Sequence, residues 1–200
     1  MTNLTHNEAI SVDPWPKLIW KFSFDFEYPK LEKKIQDYVN TVGKLNPLES
    51  GQSLSTVDDL AHRPHTWDEF ESFRNWIGDR VDFVWNYFNF LPKNRTVLQS
   101  WINVHDQTGV TKEHYHNGSD LVVTSYLNLP KDSGYIEFRD PLEYHKAGTP
   151  YVQELQLWKP VEARTNDVLI FPGWLVHRTQ PNLTSQKRIV MTWNVGRYEL

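Results

Sequence analysis

The chain contains no cysteine. Disulfides, thiolate nucleophiles and zinc–thiolate sites are therefore excluded, and any metal must be held by histidine or carboxylate. There is no apolar stretch near the ~20 residues that a membrane-spanning helix requires. Nor is there an excess of positive charge: 21 Lys and Arg face 25 Asp and Glu, a net charge of −4, so a nucleic-acid backbone is not an expected partner. The opening MTNLTHNEAISVDPWP lacks a basic stretch followed by an apolar one. A soluble, cytoplasmic protein without a membrane partner is expected. Internal repeats and low-complexity tracts are also missing. Aromatics, in contrast, are plentiful: 9 Trp, 9 Tyr and 10 Phe in 200 residues, enough large rings to fill the core of one domain and to exclude general disorder.

The hydrophobic period changes once, near residue 95. Before it, Leu31, Ile35, Tyr38, Val39 and Val42 form one stripe and predict a short helix over Leu31 to Val42. Phe70, Phe73, Ile77, Val81, Val84, Trp85 and Phe88 predict a longer one over Thr66 to Phe90, with Thr66 and Glu69 as a capping-box pair. Residues 43–65 read as a loop, and Lys17 to Phe24 as a possible edge strand. After residue 95 the period is two. Strands are expected over Thr96 to His105, Asp120 to Leu129, Tyr135 to Arg139, Tyr151 to Trp158, Val168 to Phe171, Leu175 to Arg178 and Arg188 to Val195. Short strands without intervening helices indicate an antiparallel jelly-roll or barrel, and the aromatic helix stripe needs one face of such a sheet to cover.

Three of the eight histidines stand out. His114 and His116 lie two apart in KEHYHNGSD, so on an extended chain both project from one face, and His177 follows in IFPGWLVHRTQP. A pair at i and i+2 with a distant third is the ligand supply of an open mononuclear iron site on a double-stranded β-helix. An HxH pair alone is weak evidence. Eleven residues beyond His177, Arg188 opens RIVMTWNV, where a hairpin return would place it beside the metal on the same inner surface. A guanidinium buried there needs an anionic partner, and a dicarboxylate chelating the metal through one end would offer it the other, with Tyr126 of VVTSYLNLP as companion donor. Asn103 and Thr192 face the same cavity if their strands alternate as read.

The C-terminal half resembles the 2-oxoglutarate (2OG) and Fe(II) dependent dioxygenases. HYH stands where that superfamily has HxD or HxE, VTSYLNLPKDSGYIEFRDP resembles the middle strands of its prolyl-hydroxylase branch, and IFPGWLVHRTQPN with KRIVMTWN resembles its closing segment. A small group from bacteria and phages shares the order WxN, HxH, SxY, G, DP, FP, H, R and WN. Here these are Trp101 with Asn103, His114 with His116, Ser125 near Tyr126, Gly134, Asp140 with Pro141, Phe171 with Pro172, His177, Arg188 and Trp193 with Asn194. The resemblance covers about residues 96 to 195. It implies one α+β domain over residues 1–200, with an N-terminal strand and covering helices in 1–95 and a double-stranded β-helix (jelly-roll, cupin-like) core in 96–200. It further implies Fe(II) on His114, His116 and His177, and 2OG as cosubstrate on Arg188 with Tyr126, Asn103 and Thr192. The activity implied is hydroxylation of a peptidyl side chain, prolyl by analogy, or of a small molecule, with O2 consumed and succinate and CO2 released. If such a protein is phage-encoded, it acts in the host cytoplasm.

One departure matters. His116 replaces the usual carboxylate ligand, which raises the net charge of the iron centre by one unit. In an alternative, only one of His114 and His116 ligates and Asp120 supplies the carboxylate. Two other readings stay open: a cupin-like three-His dioxygenase or isomerase that uses no 2OG, and a non-catalytic binding module. His6, His62, His65, His105 and His145 are expected on the surface or in loops, and Trp193 in the core.

Overall fold

The computed structural model describes residues 17–90, 95–142 and 157–197. The expected strand Tyr151 to Trp158 lies almost wholly outside them, as do His6 and His145. The elements run β1 (Trp20–Ser23), α1 (Tyr28–Val42), β2 (Glu49–Ser50), β3 (Ser53–Ser55), α2 (Glu71–Tyr87), β4 (Arg95–His105), β5 (Val110–Thr111), β6 (Leu121–Asn128), β7 (Ile136–Arg139), β8 (Trp158–Val161), β9 (Asp167–Pro172), β10 (His177–Thr179) and β11 (Arg188–Arg197). They form a six-stranded sheet in the order β1-β9-β6-β11-β4-β3, a three-stranded sheet β10-β7-β8 and a small pair β2-β5. Every pairing is antiparallel. This is the expected double-stranded β-helix with helices on one face.

Period-two alternation divides the large sheet into two faces. From β6, Leu121, Val123 and Leu127 join the helix-side core, while Val122 and Tyr126 join the core between the sheets. In β11, Ile189, Met191, Trp193 and Val195 point to the helices and Val190 points inward. The helices supply a matching stripe: Leu31, Ile35 and Val39 from α1, and Phe73, Ile77, Val81, Val84 and Trp85 from α2, all buried. Phe73 sits at the centre of this layer, edge-on to Trp193 at 5.0 Å and within 4.8–5.1 Å of Phe24 and Phe26.

Three expectations need correction. Thr66 and Glu69 make no capping box: Thr66 Oγ1 donates to the Arg63 carbonyl instead, and two 3-10 turns over Pro64–Thr66 and Asp68–Phe70 lead into α2. Pro64 favours that tight first turn, so the α-helix proper starts only at Glu71. Residues 43–65 are not all loop, since β3 pairs with β4 and β2 with β5. Strands of two or three residues are too short to show a period. Finally, β10 and β11 are not hairpin neighbours: β10 pairs with β7 and β11 with β4 and β6, so His177 and Arg188 stand on opposite sheets and meet across the interior.

Among the described residues no helix is long and apolar enough to cross a membrane. Phe73→Ala should destabilise the protein by ~3–5 kcal/mol, because a large ring is removed from a packed interior. Phe83→Ala, on the exposed side of the same helix, should change stability by less than ~0.5 kcal/mol. Chemical denaturation of both variants checks the pair, and equal losses would contradict the assigned faces.

Candidate active site

His114, His116 and His177 come together, with one ligand atom from each lying within 4.8 Å of the others. Backbone bonds set the spacing. His114 and His177 exchange N–H···O bonds of 3.0 and 2.9 Å, a single bridge outside any longer strand. The His116 N–H donates to the Gly173 carbonyl at 2.8 Å in the turn between β9 and β10. Gly173 is required there, because a Cβ would collide with the Ser119 carbonyl. Around the rings, Trp101 stacks on His116 with centroids 5.7 Å apart, and Phe171 and Phe138 pack against His177.

Each imidazole is oriented by what its Nδ1 touches. The His114 Nδ1–H donates to the Lys112 carbonyl at 2.8 Å, that of His177 to the Leu175 carbonyl at 2.9 Å, and that of His116 to Asn194 Oδ1 at 2.7 Å. All three rings are thereby left with a lone pair on Nε2. The Nε2 atoms of His116 and His177 lie only 3.3 Å apart with no proton between them, an arrangement that a shared cation relieves. Burial, reinforced by the neighbouring histidines, lowers the pKa of His116 to about 4 and that of His177 well below the ordinary value. Burial also lowers that of His114, against the Lys112 carbonyl and the Glu49 charge. The cluster is therefore neutral near pH 7, the form in which imidazole binds metals.

The same cavity, about 230 Å³, extends to Arg188, Tyr126, Asn103 and Thr192. Arg188 is 1% exposed. Its Nη1 donates to the carbonyls of Ser133 (2.5 Å) and Gln180 (2.9 Å), its Nη2 to Thr179 Oγ1 (3.0 Å) and, at 3.4 Å, to the Gly109 carbonyl. Its Nε donates to His105 Nδ1 at 3.4 Å. None of these acceptors is a carboxylate. Burial lowers its pKa to about 10, which leaves it charged at neutral pH. Tyr126 Oη and Asn103 Oδ1 are buried without a hydrogen-bond partner, and burial raises the Tyr126 pKa. A buried cation beside the unpartnered Tyr126 hydroxyl, which can donate, is a chemical fit for an anionic ligand with several oxygens.

Asp120 is elsewhere. Its carboxylate receives Arg197 Nη2 at 2.6 Å and Nε at 3.0 Å, and it does not belong to the cluster. The expectation that His105 is a surface residue also fails, since it is 1% exposed, the last inward-facing position of β4. Its Nε2–H donates to Glu49 Oε2 at 2.9 Å, and Thr111 Oγ1 donates to the same carboxylate at 3.0 Å. His65 is half-buried against Ser100 Oγ at 2.7 Å, whereas His62 is exposed as expected. Sequence reasoning missed Glu49, Thr111, Thr179 and, as the partner of His116, Asn194. Only Asn194 carried a signal, its place in the inward-facing series Arg188, Val190, Thr192.

Residues 99–194 match the family model described as "Putative 2OG-Fe(II) oxygenase". This segment, just under half of the chain, is similar to the 2OG-Fe(II) oxygenases, a family of oxidoreductases. The chain is similar in fold to a prolyl-4-hydroxylase from Pseudomonas putida, with 12% identity, a TM-score of 0.60 and coverage of 90% of this chain and 93% of that one. The viral collagen prolyl hydroxylase vCPH from Paramecium Bursaria Chlorella virus-1, solved as a 2OG complex, gives 12% identity, a TM-score of 0.60 and coverage of 91% and 97%. HygX from Streptomyces hygroscopicus, solved with nickel, 2-oxoglutarate and hygromycin B bound, gives 14%, 0.58, and 90% and 82%. A search of curated proteins finds no match.

The lowered histidine pKa values make stability depend on pH. In the unfolded chain these imidazoles protonate near pH 6.5, whereas folded His116 does so only at about 4. Between those values the unfolded state binds more protons, so the metal-free protein should lose stability as pH falls through that window, by on the order of 3 kcal/mol from His116 alone. Denaturation of chelator-treated protein at several pH values measures this slope. His116→Asn should flatten it, and an unchanged slope would show that His116 is not held neutral by the fold.

Proposed function

We propose that the protein is a 2OG-dependent hydroxylase in which His114, His116 and His177 hold one Fe(II) through Nε2 and Arg188 receives the distal carboxylate of 2OG. The observation that carries this reading is the convergence of three Nε2 lone pairs in the same cavity as a buried guanidinium that touches no carboxylate. When bound, the iron with 2OG and O2 supplies an oxidant able to hydroxylate an unactivated C–H bond, leaving succinate and CO2. The chain's own residues bind, orient and shield. The Nδ1 bonds to Lys112, Leu175 and Asn194 fix the imidazole rings, Tyr126 and Asn103 offer polar atoms to the cosubstrate, and Thr192 lines its pocket. Phe171, Phe138 and Ile136 close the apolar end of the space between the sheets against water.

The substrate enters past Tyr115, Tyr135 and Leu48, which line the cavity and are 57%, 37% and 41% exposed. A rim of this kind suits a peptidyl side chain, prolyl by analogy, or a small molecule. We read the protein as soluble and cytoplasmic. Residues 1–95 and 96–200 act as one domain, because Glu49 and β3 of the first part complete the cavity of the second. A cupin-like enzyme that used no 2OG would leave the Arg188 charge without an anionic ligand to meet, and its role would be structural alone.

Anaerobic titration tests the proposal. The protein should bind about one Fe(II), and addition of 2OG should produce the weak visible charge-transfer band of the chelate. His177→Ala should abolish metal binding, whereas Asp120→Asn should retain it. Arg188→Ala should lower 2OG affinity by roughly two orders of magnitude while Fe(II) affinity holds, with Arg188→Lys between. Full iron occupancy in His177→Ala would overturn the metal assignment, and unchanged 2OG affinity in Arg188→Ala would overturn the cosubstrate assignment.

A further inference from the structure

A three-histidine ligand set brings no negative charge to a divalent metal, yet the cavity also contains a buried guanidinium. Among the described residues that line this cavity, Glu49 is the one carboxylate. It is 4% exposed and lies on β2, fifty positions before the family-matched segment opens at residue 99. Its hydrogen bonds fix its form. Arg188 Nε–H points at His105 Nδ1 at 3.4 Å, so that nitrogen carries the lone pair and the proton of His105 sits on Nε2. Nε2–H then donates to Glu49 Oε2 at 2.9 Å, and the Thr111 hydroxyl is 3.0 and 3.1 Å from the two carboxylate oxygens. Two donors and a nearby cation make Glu49 the ionised end of a buried chain, Arg188–His105–Glu49.

We propose that Glu49 is a positioning residue that supplies, from outside the ligand set, the negative charge the three histidines lack. The proposal rests on the 2OG reading for its count of charges. A divalent cation, a dicarboxylate, a guanidinium and one carboxylate sum to zero, the same total that a two-His, one-carboxylate site reaches without Glu49. The charge stands outside the ligand set, held by His105 and Thr111 and acting on both His114 and Arg188.

Glu49→Gln tests this, because the amide oxygen still accepts from His105 and only the charge is deleted. Loss of an attractive charge should weaken Fe(II) binding roughly threefold to tenfold, and loss of a repulsive one should tighten 2OG binding to the metal-loaded protein by a similar factor. Both are read from anaerobic titrations, Fe(II) alone and then 2OG. A merely structural role would weaken both. Glu49→Asp should restore the wild-type direction, and Thr111→Val, which removes a hydrogen bond but no charge, should not produce the opposed pair. Equal affinities, or a parallel loss, in Glu49→Gln would overturn the proposal. If wild type binds Fe(II) but no 2OG, the cosubstrate reading fails on its own, and the Fe(II) arm still decides on Glu49. Should Glu49→Gln not fold, infrared spectroscopy of wild type labelled with 13C-glutamate decides: ionised carboxylates alone at neutral pH support the proposal, and a protonated carboxyl overturns it.

Discussion

A guanidinium removed from water costs several kcal/mol unless its N–H groups find acceptors and its charge a counter-charge. Arg188 meets the first condition with acceptors from separate parts of the chain: Ser133 before β7, Gln180 after β10, Gly109 between β4 and β5, Thr179 on β10 and His105 on β4. One side chain thus ties the large sheet to the small one and to the loops between them. Gly134 follows from the same requirement. Its φ of +79° and a Cβ position 2.7 Å from the Pro181 carbonyl leave room for no side chain, where Ser133 and Gln180 must both approach the guanidinium.

The second dependence is on alternation. β4, β6 and β11 each give one face to the aromatic helix layer and the other to the space between the sheets, so a single sheet organises two interiors of different chemistry. Ser100, Ile102 and Val104 turn toward the helices, while Gln99, Trp101, Asn103 and His105 turn toward the cavity. The helix-side layer is built of aliphatic side chains and packed rings. The inner layer can keep unpartnered Tyr126 and Asn103 groups because the surrounding strands are held from the other side.

Much of this was legible in the sequence because it depends on local period. The strands β4, β6, β9 and β11, the helix stripes and the inward series Arg188, Val190, Thr192 all repeat over several residues. His114 and His116 were readable as a pair since two positions on an extended chain share a face. What could not be read depends on pairings between distant short segments. Glu49 lies in a two-residue strand inside a Gly- and Ser-containing stretch, and nothing in residues 43–65 points to residue 105. His105 looked like a loop histidine because the next residues, Asp106 to Gly109, form a turn; its burial comes from β2 and β5 closing over it. The relation of His177 to Arg188 was misjudged for a similar reason, since eleven residues suffice for a hairpin and equally for a crossing between sheets.

These observations alter the role of the N-terminal half. If it were only a cover, its contribution would end at the aromatic layer on the outer face of the large sheet. Instead β3 extends that sheet at β4, with Ser53 opposite His105 and Ser55 opposite Asn103, and β2 carries Glu49 into the interior. Removing these strands would take the carboxylate partner from the His105 Nε2–H and the cavity's carboxylate from the neighbourhood of the guanidinium, weakening a buried polar network. The family-matched segment contains the histidine cluster and Arg188, but Glu49, the one carboxylate lining the cavity among the described residues, comes from outside it. Folding of the first half and the electrostatics of the site are therefore one problem, joined where His105 and Thr111 donate to Glu49.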